Sequence, residues 1–305
     1  MVSARYFAGV ELGGTKSIAV LARGREIIER TTVATGPPSQ TLRALSDQLR
    51  AWQSGKPFAA LGIASFGPLQ LSRLDPDFGR MLPTPKPGWH TAAIAETLTQ
   101  GLECPWLIDT DVNAAALAEY RWGAGIGQNN VCYITIGTGV GGGLVVDGRP
   151  VHGAMHPEIG HLRLRRATDD LFPGTCPFHG DCIEGLVSGP ALAARMGGDP
   201  ATTLDDDPRW EPIASDLAEL ACAILLTTSA QRILVGGGVG MARPFLLPRA
   251  RAKALTRLAG YLPFFNEASA EAIIQAPALG SEAGPMGAIA LAQAALVEDR
   301  QITAD

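Results

Sequence analysis

Apolar and polar positions alternate in short runs at the start of the chain. YFAGVEL (Tyr6–Leu12) and SIAVLAR (Ser17–Arg23) read as two strands, and GGTK sits at the turn of the hairpin they form. REIIERTTV reads as a third strand. The period then lengthens, and TLRALSDQLRAW carries its apolar residues at helical spacing. AALGIASFG is a buried strand that runs into a Gly/Pro loop. From Leu74 to His90 the periodicity fades among prolines, which predicts a loop. PWLIDTD is a short strand, and VNAAALAEYRWG is a helix ended by glycine.

A second set of elements follows. NVCYITIGTGVGGGLVVDGRPV is again strand, glycine turn, strand, and it echoes the first hairpin in chemistry. Such an internal repeat predicts two similar α/β halves. Beyond it the pattern predicts a helix over Glu211–Ala230, the strand RILVGGG, and a helix near Arg243–Gly260. The strand AIIQAPAL and a last helix over Gly284–Leu296 complete the chain. Alternating strands and helices indicate α/β layers, and the hairpins make each sheet mixed.

Composition narrows the class. Of 305 residues, 46% are hydrophobic and 18% charged, enough for a core and too apolar for disorder. The net charge is -5, with no basic stripe of the kind nucleic acid requires. RLRRA (Arg163–Ala167), the nearest candidate, reads as the solvent face of a strand. An anionic chain that handles an anionic substrate needs a cation or local donors. The N-terminus lacks the basic and apolar regions of a signal peptide, and no apolar run has the length of a membrane span. Five cysteines, an odd number, do not suggest a disulfide framework, so the cytoplasm is expected.

Five motifs carry chemistry. In ELGGTK, Gly13 and Gly14 allow either a tight hairpin turn or an anion nest, with Thr15 adding a hydroxyl and Lys16 a cation. Neither a Walker loop nor a dinucleotide fingerprint matches. IGTGVGGG holds five glycines in eight residues around Thr138, more than a plain turn needs. Together the two turns suggest both sides of a phosphate clamp. Between them, DTDVN sets Asp109, Asp111 and Asn113 where a strand meets a helix. Asp111 is then either an N-cap or a general base. Finally, His161, Cys176, His179 and Cys182 make a sensible tetrahedral zinc set, with a redox pair and chance proximity as alternatives. RILVGGGVG, with Gly236, Gly237 and Gly238, is either a strand–helix connection or a surface that admits a nucleoside.

Taken together, these motifs resemble the ROK family (repressors, open reading frames, kinases) of sugar kinases over nearly the whole chain. ELGGTK is similar to the family's first phosphate motif, IGTGVGGG to its second, and RILVGGGVG to its adenosine motif. EIGH with the Cys/His cluster and Glu184 resembles the sugar- and zinc-binding signature. IASFGPL, PTPKPGW, Thr110 before Asp111, and His179 within the cluster resemble the zinc-containing bacterial fructokinases of the family. Glu11 stands where many members carry Asp.

The resemblance implies an actin/hexokinase-like (ribonuclease H-like) ATPase fold of two α/β lobes with a central cleft. Residues 1–114 and about 285–305 would form the small N-terminal lobe, and 115–284 a larger lobe with the zinc loop. It implies ATP-dependent phosphorylation of D-fructose to fructose 6-phosphate. Other hexoses (glucose, mannose, allose, an N-acylhexosamine) are the alternative, and a regulator without kinase activity is a more distant one. Only ten residues precede Glu11, so no DNA-binding helix-turn-helix is expected there. Asp111 would be the base. Gly67, Thr110, Glu158, His161 and Glu184 would bind the sugar. Gly13, Gly14, Thr15, Lys16, Gly137, Thr138, Gly139, Gly236, Gly237 and Gly238 would bind ATP with Mg²⁺. Zn²⁺ on His161, Cys176, His179 and Cys182 would be structural. Neither nucleic acid nor membrane is an expected partner, and a homodimer is.

Overall fold

The computed structural model describes residues 5–302. They group into two compact units, one drawn from Met1–Arg121, Arg149–His156 and Ser281–Asp305, the other from Trp122–Gly148 and Pro157–Gly280.

The first unit is built on β1 (Tyr6–Leu12), β2 (Lys16–Arg23), β3 (Glu26–Ala34), β4 (Leu61–Ser65) and β5 (Trp106–Thr110), in the order β3-β2-β1-β4-β5. The two hairpins pair antiparallel, while β4 and β5 extend the sheet in parallel. Edge strand β3 alternates exposed and half-buried residues, whereas β2 buries six consecutive positions on both faces. In register, Leu12 lies opposite Ser65 and Ser65 opposite Thr110. Three parallel strands therefore end level, and the turns that leave them share one edge, where α/β sheets bind ligands.

In chain order the helices are α1 (Pro38–Gly55), α2 (Ile94–Thr99), α3 (Asp111–Trp122), α4 (Ile183–Val187) and α5 (Gly189–Met196). They continue with α6 (Trp210–Thr228), α7 (Gly237–Ala242), α8 (Leu246–Leu258), α9 (Ala270–Ile273) and α10 (Ala283–Ile302). Helix α1 starts on a proline and buries Leu42, Leu45, Leu49 and Trp52 in a core shared with Ala8, Val10, Leu61 and Ile63. Strand pleating sends the intervening Gly9 and Gly62 to the other face. Helix α10 lies there, so close that a Cβ on Gly62 would fall 1.9 Å from Ala288 O.

The second unit repeats the plan. Strands β6 (Asn130–Ile136) and β7 (Val140–Val146) form an antiparallel hairpin. Strand Arg232–Gly236 runs parallel to β6, and Ile274–Gln275 runs parallel beyond it. The internal echo in the sequence is thus a repeated sheet arrangement. Helices α6 and α8 pack on each other.

Three expectations need correction. The strand expected over AIIQAPAL shrinks to Ile274–Gln275, because α9 takes the residues before it and Pro277 cannot donate to a ladder. The helix expected from Arg243 begins at Leu246, since Pro244 holds Arg243 out of helical geometry, at φ -132° and ψ 62°. RLRRA is not a strand. Its arginines serve ion pairs instead, Arg163 with Asp181 at 3.0 Å and Arg166 with Asp170 at 2.8 Å.

Candidate active site

Asp111 stands at the level strand edge of the first unit, as the first residue of α3. It is not the helix cap. Thr110 Oγ1 accepts from Asn113 N–H at 3.2 Å, so the last residue of β5 caps the helix. Asp111 Oδ1 accepts from Val112 N–H at 2.9 Å, which leaves Oδ2 for another partner. Burial pushes its carboxyl up to about 6, and the backbone donors restrain the rise. Glu11, at the end of β1, is pushed up to about 7, first by burial and then by the charge of Asp111; Lys16 and Arg30 oppose this. Two carboxylates that resist ionising together would gain from a cation, which fits Mg²⁺ chemistry.

Behind Asp111 lies a polar cluster that joins Asp109 and Asn113 of DTDVN to His152, a residue the sequence did not single out. Asp109 is 3% exposed. Its Oδ1 accepts from Thr110 N–H at 2.7 Å and Asn113 Nδ2 at 2.8 Å, while Oδ2 lies 3.0 Å from His152 Nε2. The hydrogen bond to Asp109 raises the His152 pKa. Some forty positions separate the partners along the chain, so no local pattern announces them. Gly67 lies on the same edge, after β4 and before a cis bond to Pro68. The buried His156 imidazole backs it, accepting from Leu69 N–H at 3.1 Å.

The first glycine turn joins β1 to β2. Gly13 N–H donates to Lys16 O at 3.1 Å, and Gly14, Thr15 and Lys16 are exposed. The first unit therefore brings Gly13, Gly14, Thr15, Lys16, Gly67, Thr110 and Asp111 to one edge of one sheet.

In the second unit, Gly137, Thr138 and Gly139 form the turn between β6 and β7. Gly137 N–H donates to Gly139 O at 2.9 Å, and Gly189 N–H donates to Gly137 O at 2.8 Å. Glu184, near the start of α4, accepts from Val140 N–H through Oε2 at 3.1 Å. A Cβ on Gly139 would lie 2.7 Å from that oxygen, so the turn must be glycine for the carboxylate to reach it. Glu184 thus ties the Cys/His loop to the glycine turn. Gly236 ends its strand and Gly237 opens α7 at φ +81°, with Ile136 O only 2.4 Å from any added Cβ. Space around Gly238 is open. Glu158 is exposed, just before the short turn Ile159–His161.

The four ligand candidates converge. One ligand atom from each of His161, Cys176, His179 and Cys182 lies within 4.8 Å of the others. His161 Nδ1 is 3.6 Å from Cys182 Sγ and 3.8 Å from Cys176 Sγ, and His179 Nδ1 is 3.8 Å from Cys176 Sγ. Ordinary Zn–S and Zn–N bonds at tetrahedral angles set ligand atoms about 3.5 Å apart. Two thiols and two imidazoles at this spacing fit Zn²⁺. His161 turns Nδ1 to the sulfurs, so only Nε2 remains for any other partner. A hairpin from Cys176 to Gly180 shapes the loop.

Two mixed sheets of one plan, each with a glycine turn on its hairpin, define a protein of the actin-like ATPase fold. The ROK hexokinase of Thermus thermophilus superposes with a TM-score of 0.76 at 27% identity, covering 96% of this chain and 99% of that one. Residues 7–295 match the ROK family model, and the chain belongs to the ROK family. It is 40% identical to the fructokinase of Zymomonas mobilis over 95% of this chain and 97% of that protein. It is 38% identical to a putative fructokinase of Bacillus subtilis over 94% and 95%.

Proposed function

We propose that the protein transfers the γ-phosphoryl group of ATP to the 6-hydroxyl of D-fructose. Its similarity to fructokinases across almost the full chain supports the substrate. One observation carries the base assignment: Asp111 offers Oδ2 at the carboxyl end of β5, with an affinity for protons raised to about 6. That value lets a carboxylate accept a proton near neutral pH while staying ionised enough to act. A loose phosphoryl transition state asks more of position than of base strength.

The N–H groups of Gly13, Gly14 and Thr15 and the side chain of Lys16 would receive phosphate oxygens, as would Gly137, Thr138 and Gly139. Gly236, Gly237 and Gly238 would face the nucleoside. Gly67, Thr110, Glu158, His161 through Nε2, and Glu184 through Oε1 would bind sugar hydroxyls. Mg²⁺ accompanies ATP and offsets the charge on its β and γ oxygens. Zn²⁺ on the two cysteines and two histidines would be structural, with every position filled by protein. Its work would be to hold the loop that carries His161 and Glu184. A homodimer in the cytoplasm completes the reading; no described helix is long and apolar enough to cross a membrane.

A coupled assay over fructose, glucose, mannose, allose and N-acetylhexosamines tests the substrate. Fructose should give the highest kcat/KM, and a clear lead for another hexose would overturn that choice. Asp111→Asn should lower kcat by about 10²–10⁴-fold with the fold intact. A near wild-type kcat in that variant would remove Asp111 from the mechanism.

A further inference from the structure

Pro83–Trp89 lacks regular structure, yet its place in the first unit is fixed. Trp89 is fully buried and donates Nε1–H to Gly36 O at 3.0 Å. Its ring meets Phe66 edge-on at 4.9 Å between centroids. With that anchor set, Lys86 is delivered to the first glycine turn. Its Nζ donates to Gly14 O at 2.5 Å and stands 5.8 Å from the Phe66 ring centroid.

The turn is polarised as a result. Thr35 Oγ1 donates to Gly13 O at 2.8 Å, and Thr35 N–H donates to Thr15 O at 2.9 Å. Lys86 takes the carbonyl between them. All three carbonyls of the turn are held by donors, so its peptide planes resist flipping. The N–H groups of Gly14 and Thr15 find no acceptor among the described residues, and a Cβ on Gly14 would meet nothing within 4 Å. Fixed, outward N–H groups in open space beside an ammonium make a receptor for an anion. In a chain of net charge -5, a local cation is what such a receptor needs.

We propose that Lys86 is a phosphate-binding residue, its ammonium bridging the Gly14 carbonyl and the phosphate tail of the bound nucleotide. This rests on the reading of the first glycine turn as a phosphate site. A mere brace for the turn is the competing role, and the two separate by charge. Glutamine can still donate to Gly14 O but carries no charge; arginine keeps both properties.

The test is calorimetric titration of the full-length protein with ATP and with AMP, for wild type, Lys86→Gln, Lys86→Arg and Lys16→Met, at two salt concentrations. Lys86→Gln should weaken ATP binding by about tenfold or more, change AMP binding little, and flatten the salt dependence of ATP affinity. Lys86→Arg should retain most of the affinity. KM for fructose should hold in all variants. If Lys86→Gln binds ATP as wild type does while Lys16→Met does not, Lys86 is only a brace and the turn remains the phosphate site. If neither substitution moves ATP affinity, both readings fall.

Discussion

At the residue scale, the first unit concentrates its electrostatic tension in Glu11 and Asp111. Burial raises both carboxyls, to about 7 and about 6, and the ionised Asp111 adds to the rise at Glu11. Two consequences follow with opposite signs. For catalysis, kcat/KM for fructose should fall as pH drops through about 6, where Asp111 takes up a proton. For stability, both groups bind protons more tightly folded than unfolded. What they contribute is present in full below the ordinary carboxylate range of about 4 and is lost as pH rises through about 6 and then 7. Glu11→Gln should therefore gain stability relative to wild type between pH 5 and pH 8. Urea unfolding of both proteins at the two pH values measures this, and a gap that does not widen would count against the pair. Asp111 was legible in the sequence because DTDVN joins a strand end to a helix start. Its loss of the capping role to Thr110, and the partnership of His152 with Asp109, were not legible. The first turns on which residue opens the helix, and the second on an approach that the chain order does not encode.

At the element scale, strands and helices followed their apolar periods wherever one face met a core. The β1–β2 hairpin, α1 and α6 lie close to where the pattern put them. Departures have local causes: Pro277 and Pro244 cut short a strand and a helix, and in RLRRA Arg163 and Arg166 pair with Asp170 and Asp181. The contact between α10 and β4 gives a direct test. A methyl group on Gly62 would collide with backbone, at 1.9 Å from Ala288 O and 2.6 Å from Ala292 N, and backbone cannot rotate away. Gly62→Ala should cost about 1–3 kcal/mol or more, read as a lower denaturation midpoint. A neutral result would mean that α10 sits farther from the sheet.

At the scale of the whole molecule, the second unit holds its irregular loop by two devices. One is the Cys/His cluster. The other is a buried ion network in which Arg195 contacts Asp170 at 2.9 Å and Asp216 at 3.0 Å, with its guanidinium 4.4 Å from the Phe172 ring centroid. Burial alone would raise Asp170, but Arg195 and Arg166 override it and hold the carboxyl at about 2. The loop therefore has an anchor that does not depend on metal. Protein purified without chelator should contain one zinc per chain. Stripping it should lower Tm and kcat while leaving a folded chain, and adding zinc back should restore both. Metal analysis, calorimetry and assay of the same sample check this, and zinc-free protein with full stability would defeat it.

The order of strands and helices, the doubled hairpin and the residue types proposed for base, phosphate turns and metal were determined by the sequence itself. Local periodicity and short motifs encode each of them. Tertiary structure alone decided which partners meet: Glu184 on the second glycine turn, Lys86 on the first, His152 on Asp109, and two histidines among two thiols. It also decided which carboxylates bind a proton more tightly than usual. Those outcomes depend on burial and on approach between segments far apart in the chain, and neither is a property of any stretch read alone.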